Sequence, residues 1–215
     1  MTRLTTDDAV YGFVAGRSAL QAAAVHCNAH WVYSLDIENF FPSTSQQKVT
    51  IALIDIGYPT HAAELISSLC CYLGNLAQGS PASPVISNLV FSPYDKQLRN
   101  IAQKTNSRFT RYADDIVFSG TEEPPTNLKQ EVCKIITDAG WAISERKEKL
   151  SRLPHRLKVH GLLVHGTKPR LTKGYRKRLR AFSHLLQNGL VKDEDLSRIK
   201  GHLSYAQSVE RLSKE

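Results

Sequence analysis

The sequence predicts an α+β fold: a small antiparallel sheet packed on helices, followed by a separate helical unit. Three observations carry that reading. Two runs rich in β-branched and aromatic residues, 31–37 and 109–118, are separated by long stretches with apolar residues at helical spacing. The second run folds on itself, because the adjacent Asp114 and Asp115 interrupt it with residues suited to a tight turn. From Lys168 onward the composition changes to cationic helical segments. The chain therefore divides into a first unit at 1–165 and a helical unit at 166–215, with the boundary near 166–171.

Each element follows from local sequence. Residues 1–8 read as a frayed end. Tyr11-Gly12-Phe13-Val14-Ala15-Gly16-Arg17-Ser18 is a glycine-punctuated loop, and Ser18 caps an alanine-rich helix at 19–28. The lone His26 on that helix reads as a structural residue. The strand at 31–37 ends in Asp36, followed by Glu38-Asn39-Phe40-Phe41-Pro42, with Phe40 the better core residue of the aromatic pair. Ser43 and Gln46 stand at capping-box spacing for a helix that runs to Asp55 and stops at Gly57-Tyr58-Pro59. Thr60 caps the next helix; its Ala62, Leu65, Ile66, Leu69 and Leu73 share a face, and Gly74 ends it.

Gln78-Gly79-Ser80-Pro81-Ala82-Ser83-Pro84 is a rigid loop with exposed backbone. Pro84 opens a helix after Ser83, and Pro93 is expected to kink or interrupt it before 94–104 continues. Beyond the aspartate hairpin, Leu128, Val132, Ile135, Ile136 and Ala139 mark a helix ended by Gly140. A short strand is expected at 141–143 and a hairpin strand at 157–164. A basic helix carrying Lys173, Arg176, Lys177, Arg178 and Arg180 ends near Gly189. A final helix begins near Asp193, with acidic residues at its favourable end.

Composition bounds the function. With 215 residues, 41% of them hydrophobic, the chain can build a core. The net charge of +8 is concentrated after Arg146, which points to a polyanionic partner, nucleic acid above all. Cys27, Cys70, Cys71 and Cys133 form no C-x-x-C pair and sit with no histidine cluster at zinc spacing. They read as reduced cysteines of a cytoplasmic protein. The first residues carry no apolar signal core, and no run is long and apolar enough to span a membrane.

The chemistry lies in three carboxylates. Asp114 and Asp115 at a hairpin tip cannot both be buried unpaired in apolar surroundings. Alone, that stretch reads as a solvated turn. Asp36 ends the other strand, so the three carboxylates converge if the strands are neighbours. Two-metal phosphoryl transfer uses such a cluster: Mg²⁺ takes hard oxygen ligands, and two ions about 3.5–4 Å apart stabilise the attacking and leaving oxygens.

Taken together, the segments from about Tyr11 to the end resemble bacterial reverse transcriptases of the retron and group II intron kind. Ser34-Leu35-Asp36-Ile37-Glu38-Asn39-Phe40-Phe41-Pro42-Ser43 is similar to the family's first catalytic motif. Gln78-Gly79-Ser80-Pro81-Ala82-Ser83-Pro84 with Ser87-Asn88-Leu89 is similar to its template and nucleotide loop. Arg111-Tyr112-Ala113-Asp114-Asp115 is similar to its paired-aspartate motif. The stretch 143–150 resembles a weaker lysine-containing motif, and Val159-His160-Gly161-Leu162-Leu163-Val164 the primer-grip strand.

The resemblance implies a polymerase palm with residual fingers at 1–165 and a helical thumb at 166–215. It implies an RNA-directed DNA polymerase that extends a primer 3′-hydroxyl with dNTPs, in a retroelement or antiphage-defence setting. Asp36, Asp114 and Asp115 would be catalytic and, with the Ile37 backbone, would hold two Mg²⁺ ions, Mn²⁺ being an alternative. The Ile37 and Glu38 backbone would meet the triphosphate, and Phe41 would exclude a 2′-hydroxyl. Gln78 and Gly79 would line the nucleotide pocket. Lys147 would neutralise or protonate the pyrophosphate; its plain alternative is a solvated turn lysine. Arg17, Ser80, Arg111, Tyr112, Gly161, Lys173, Arg176, Lys177 and Arg180 would contact nucleic acid.

The implied partners are an RNA template and a DNA or RNA primer, with a structured noncoding RNA and a partner protein as further expectations and no membrane. The sequence also departs from the family. A long fingers segment expected before the position of Tyr11 is not in it, so a fragment, a natural short form or one half of an assembly is expected. Ser144 stands where Asn is common, Glu148 where Thr is common, and Val159-His160-Gly161 where retron enzymes carry Val-Thr-Gly. Two alternatives stay open: a template-independent polymerase, and a catalytically impaired nucleic-acid-binding module that needs a partner.

Overall fold

The computed structural model describes residues 6–212. In chain order the elements are α1 (Ala19–Val25), β1 (Trp31–Asp36), α2 (Gln46–Asp55), α3 (Thr60–Cys70), β2 (Cys71–Tyr72), β3 (Asn75–Leu76), α4 (Ser83–Lys104), β4 (Arg108–Tyr112), β5 (Asp115–Gly120), α5 (Leu128–Asp138), β6 (Lys149–Arg152), β7 (Lys158–Val159), β8 (Leu162–Leu163), β9 (Arg170–Leu171), α6 (Lys173–Gln187) and α7 (Asp193–Leu212). The main sheet has the order β4-β5-β1-β6 and is antiparallel at every pairing. Smaller antiparallel sheets join β2 with β3, and β7 with β8 and β9. The α+β fold read from the sequence is the fold observed.

Side chains alternate across a strand, and that alternation divides the chemistry of the sheet. Trp31, Tyr33 and Leu35 of β1 and Ile116 and Phe118 of β5 join one core with Phe40, Phe91, Leu98, Val132, Ile136 and Trp141. Each large apolar side chain fully buried there contributes about 1.5–3 kcal/mol. Phe91 and Trp141 lie with ring centroids 5.1 Å apart, and Phe40 meets Phe91 edge-on at 5.7 Å. Val32 and Val117 belong to a second core on the opposite face, with Ala23 of α1, Leu157, Val159, Leu162, Val164 and Val209 of α7. Ser34, Asp36 and Asp115 share that second face by register.

Several local expectations are corrected. Residues 1–5 of the expected frayed end lie outside the described residues, but Asp7 is anchored. Its carboxylate accepts from the Ala9 amide at 2.8 Å and pairs with Arg99. Helix α1 ends at Val25, short of residue 28. Ser45, not Ser43, caps α2, accepting from the Lys48 amide at 3.3 Å. The Ser43 hydroxyl donates back to the Asn39 carbonyl at 2.8 Å, a local turn bond that competes with capping.

Thr60 lies inside α3 and makes no capping bond; Pro59 holds the cap position. Helix α3 stops at Cys70 because the chain turns into the β2–β3 hairpin, with Leu73 and Gly74 left-handed at its tip. Leu65, Leu69 and Leu73, read as one helical face, are 61%, 78% and 82% exposed. Helix α4 continues through Pro93, which is solvent-exposed, so water can serve the carbonyl that proline leaves unbonded. The strand expected at 141–143 reduces to a single bridge between Ile37 and Ile143, while β6 forms where the sequence suggested none.

The final helix begins at Asp193, as read. Thr172 caps α6, accepting from the Tyr175 amide at 3.2 Å. Strand β9 ties residues 170–171 to β8, so the expected boundary region carries sheet structure. The four cysteines are free thiols. Among the described residues no helix is long and apolar enough to cross a membrane.

Candidate active site

The aspartate hairpin turns at Ala113 and Asp114. Ala113 has φ 58°, a left-handed conformation that costs a residue with a Cβ about 1–2 kcal/mol. A buried polar network holds it there. Arg111 Nη1 donates to the Ala113 carbonyl at 2.9 Å and to Asn88 Oδ1 at 3.1 Å. Asn88 Nδ2 donates to the Gly12 carbonyl at 2.9 Å. Arg111 Nε and Nη2 each donate to Asp95 at 2.7 Å, and the guanidinium lies 4.7 Å from the Phe91 ring centroid. Burial pushes the Asp95 carboxyl up and Arg111 pulls it back; the bidentate geometry is that of an ion pair. Gly12 presses on the tip itself: a Cβ there would lie 2.2 Å from the Ala113 nitrogen.

Arg111 is therefore a support of the hairpin, not the nucleic-acid contact expected from sequence. Neighbouring strand residues face opposite sides. Tyr112 is cross-strand partner to Asp115 and faces the site, so Arg111 is directed into α4, fully buried.

Asp36 and Asp115 are direct cross-strand partners on β1 and β5. The Ile37 amide donates to the Asp114 carbonyl at 3.1 Å, which ties the end of β1 to the hairpin tip. Lys147 Nζ donates to Asp36 Oδ2 at 2.8 Å, and this bond raises the lysine above its ordinary value. Burial pushes the Asp114 carboxyl above its ordinary value; Asp36 and Asp115 add to the push, while Lys147 and a backbone amide oppose it. Ser34, Asp36, Asp115, Lys147, Val159 and His160 line a cleft of about 130 Å³. His160 Nδ1 lies 3.1 Å from Asp115 Oδ2. Ser34 and His160 received no role from the sequence. For His160 the available signal was its place in Val159-His160-Gly161, where the related motif carries threonine.

A divalent cation suits this donor set. It offers three hard carboxylates, a crowding that already raises Asp114, and an ammonium already seated on Asp36. Among the described residues no three acidic, histidine or cysteine side chains stand in a finished coordination cage, so the carboxylates would close on an ion as it binds.

The remaining expected residues divide. The Ile37 and Glu38 amides are engaged, by the Asp114 carbonyl and by the Ala142 carbonyl at 2.9 Å. Neither amide is therefore free for the backbone contact with a triphosphate expected at Ile37 and Glu38, and the Ile37 carbonyl is left as that residue's contribution to a metal. Arg17 is committed to its own loop, donating to the Asp7 and Val10 carbonyls at 2.6 Å and pairing with Asp8, which corrects its assignment to phosphate. Phe41 is half-buried with its ring 6.0 Å from Phe13, whereas Phe40 is a core residue.

Gln78 and Gly79 stand exposed between β3 and α4, and Ser80 Oγ accepts from the Ala82 amide at 3.3 Å. No hydrogen bond among the described residues joins that loop to the carboxylates. Tyr112 packs on His160, with ring centroids 5.3 Å apart. Gly161 (φ 80°) is exposed at the β7–β8 turn, and Lys173, Arg176, Lys177 and Arg180 are exposed on α6.

An antiparallel sheet with aspartates meeting across its two central strands, backed by helices, defines the palm of a nucleic acid polymerase. The model of the family described as reverse transcriptase (RNA-dependent DNA polymerase) matches residues 2–178, and the chain belongs to that family. It is 29% identical over 214 residues to the retron Ec86 reverse transcriptase of Escherichia coli, covering 99% of this chain and 66% of that protein. It is 28% identical to the retron Mx65 reverse transcriptase of Myxococcus xanthus, covering 94% of this chain and 51% of that protein. The chain thus spans about half to two thirds of the length of these curated relatives.

Among solved structures it is similar in fold to telomerase from Candida albicans in complex with a fragment of telomeric RNA. That match has a TM-score of 0.58 and 11% identity, over 96% of this chain and 46% of that one. It is also similar to the foamy viral protease-reverse transcriptase in complex with double-stranded DNA, with a TM-score of 0.54 and 19% identity, over 90% of this chain and 30% of that one.

Proposed function

We propose that the chain is the catalytic part of a retron-type RNA-directed DNA polymerase, with 1–165 as palm and 166–215 as thumb. The observation that carries this reading is the cross-strand pairing of Asp36 with Asp115, beside an Asp114 whose carboxyl is crowded by both. Asp36, Asp114, Asp115 and the Ile37 carbonyl would hold two Mg²⁺ ions. Bound there, such ions lower the pKa of an attacking 3′-hydroxyl and neutralise a departing pyrophosphate.

The chain's own groups supply the rest. Lys147 Nζ, bonded to Asp36 Oδ2 in this structure, would neutralise or protonate the leaving pyrophosphate. Phe41, braced by Phe13, would exclude a sugar 2′-hydroxyl, so that dNTPs are selected by clash. Gln78, Gly79 and Ser80 border the nucleotide and template, and Tyr112 and Gly161 border the primer terminus. Lys173, Arg176, Lys177 and Arg180 grip phosphates of an RNA template and its primer in a salt-sensitive way. The setting is cytoplasmic, with a structured noncoding RNA and a partner protein as further partners.

The test is extension of a primed RNA template with dNTPs and Mg²⁺. The native chain is expected to extend the primer and the Asp114→Ala, Asp115→Ala double variant to extend nothing. Equal extension by both, or none by either, would end the polymerase reading.

A further inference from the structure

We infer that His160 is a positioning residue for Asp115, one that holds this carboxylate beside Asp36 in the cleft. This inference rests on the two-metal reading above. His160 and Gly161 form the two-residue turn between β7 and β8, and both have positive φ, 47° and 80°. A turn of that kind favours Asn-Gly, because asparagine tolerates the left-handed region well. A bulkier imidazole there is not what the turn alone would select.

The ring is placed with purpose. Its side chain is only 8% exposed, wedged beside Tyr112 and Asp115, which are themselves cross-strand partners at the base of the aspartate hairpin. Nδ1 lies 3.1 Å from Asp115 Oδ2. A carboxylate oxygen only accepts, so the contact is attractive when Nδ1 carries a proton. Asp115 and His160 line the same cleft as Asp36 and Lys147. Nε2 is buried with no hydrogen-bond partner among the described residues. An imidazole kept in place with one nitrogen unsatisfied is held for its other nitrogen. Groups that hold a metal-binding carboxylate typically matter by about 10–100-fold in metal affinity or activity.

Two substitutions separate the polar contact from the ring. His160→Asn keeps a donor the same number of bonds from the backbone and suits the left-handed turn, but removes the ring. His160→Phe keeps a ring against Tyr112 and removes the donor. Mn²⁺ binding to the full chain, read by electron paramagnetic resonance, is measured with primer extension and thermal unfolding on the same samples. The expected result is Mn²⁺ affinity within about threefold of native for His160→Asn and about 10–100-fold weaker for His160→Phe, both variants remaining folded.

Native-like Mn²⁺ affinity in His160→Phe, or equal losses in both variants, overturns the inference while leaving the polymerase reading intact. A native chain that binds no Mn²⁺ overturns the two-metal reading, and the inference with it. If His160→Phe fails to fold, His160→Gln takes its place. Gln carries its amide one bond further from the backbone, so native Mn²⁺ affinity in that variant overturns the inference and a tenfold loss supports it.

Discussion

The aspartate hairpin and the Gln78–Ser80 loop are both parts of the proposed site, and they are built in opposite ways. The hairpin is over-determined. Ala113 is held left-handed by a buried arginine, an asparagine and a glycine that touches its nitrogen. The loop is exposed, bonded mainly to itself, and a Cβ on Gly79 would meet nothing within 4 Å. The difference separates two tasks. The backbone that carries metal-binding carboxylates is set before substrate arrives, so that less has to rearrange at the moment of reaction. A loop that admits a different base at each step gains from remaining open.

The comparison breaks most readily at Arg111. Arg111→Leu leaves Asp95 buried without its partner and is expected to lower unfolding stability by about 3–5 kcal/mol, read by denaturant titration. Asp95→Asn with Arg111→Leu should recover part of that loss; no recovery would detach the hairpin from the ion pair. Gly12→Ala comes next. Its new Cβ meets backbone rather than a flexible side chain, so the strain is expected to cost about 1–3 kcal/mol and to slow extension through a displaced tip.

A pH effect is expected on the face of the sheet opposite Arg111. His26 is fully buried between the Ser119 and Thr110 hydroxyls, 2.7 Å from each. Burial, with His160 and Arg108 adding to it, lowers its pKa from 6.5 to about 3. In the unfolded chain the imidazole takes a proton below pH 6.5, while in the folded chain it resists until about 3. Stability should therefore fall as pH drops through that window, by up to about 1.4 kcal/mol per pH unit. His26→Asn should flatten this slope. An unchanged slope would assign acid sensitivity to other groups. At the open loop the effect is smallest: Gln78→Ala should raise the KM for dNTPs by about 0.5–1.5 kcal/mol equivalent while leaving the unfolding midpoint in place.

What the sequence disclosed follows the same division. Periodicity and turn chemistry located both central strands and the hairpin, because strand alternation and an Asp-Asp turn are local signals. The meeting of Asp36 with Asp115 depends on register across the sheet and appeared in the sequence only as a condition. Arg111 was misread because a motif shows neighbours in sequence, whereas the sheet sends Arg111 and Tyr112 to opposite faces. Asp95, Asn88 and Gly12 act through contacts between residues far apart in the chain, which no local pattern carries. Leu65, Leu69 and Leu73 matched a helical period, yet the hairpin after Cys70 takes Leu73 off the helix and all three are exposed. His160 stood out only as a departure from a motif, and its value lies in a contact made across two hairpins.

The most direct test of the central claim is Asp114→Asn, followed by thermal unfolding and by primer extension on the same sample. Burial and the neighbouring carboxylates disfavour the charged form of Asp114 in the folded chain. The raised folded pKa means that stability declines as pH rises above the unfolded value, so a neutral isostere should be at least as stable as the native chain at pH 7. Extension should fall by about a hundredfold to a thousandfold, the scale for removing one preorganised electrostatic group. A stable variant that has lost extension is the predicted result. An Asp114→Asn chain that extends primers at the native rate would contradict the account.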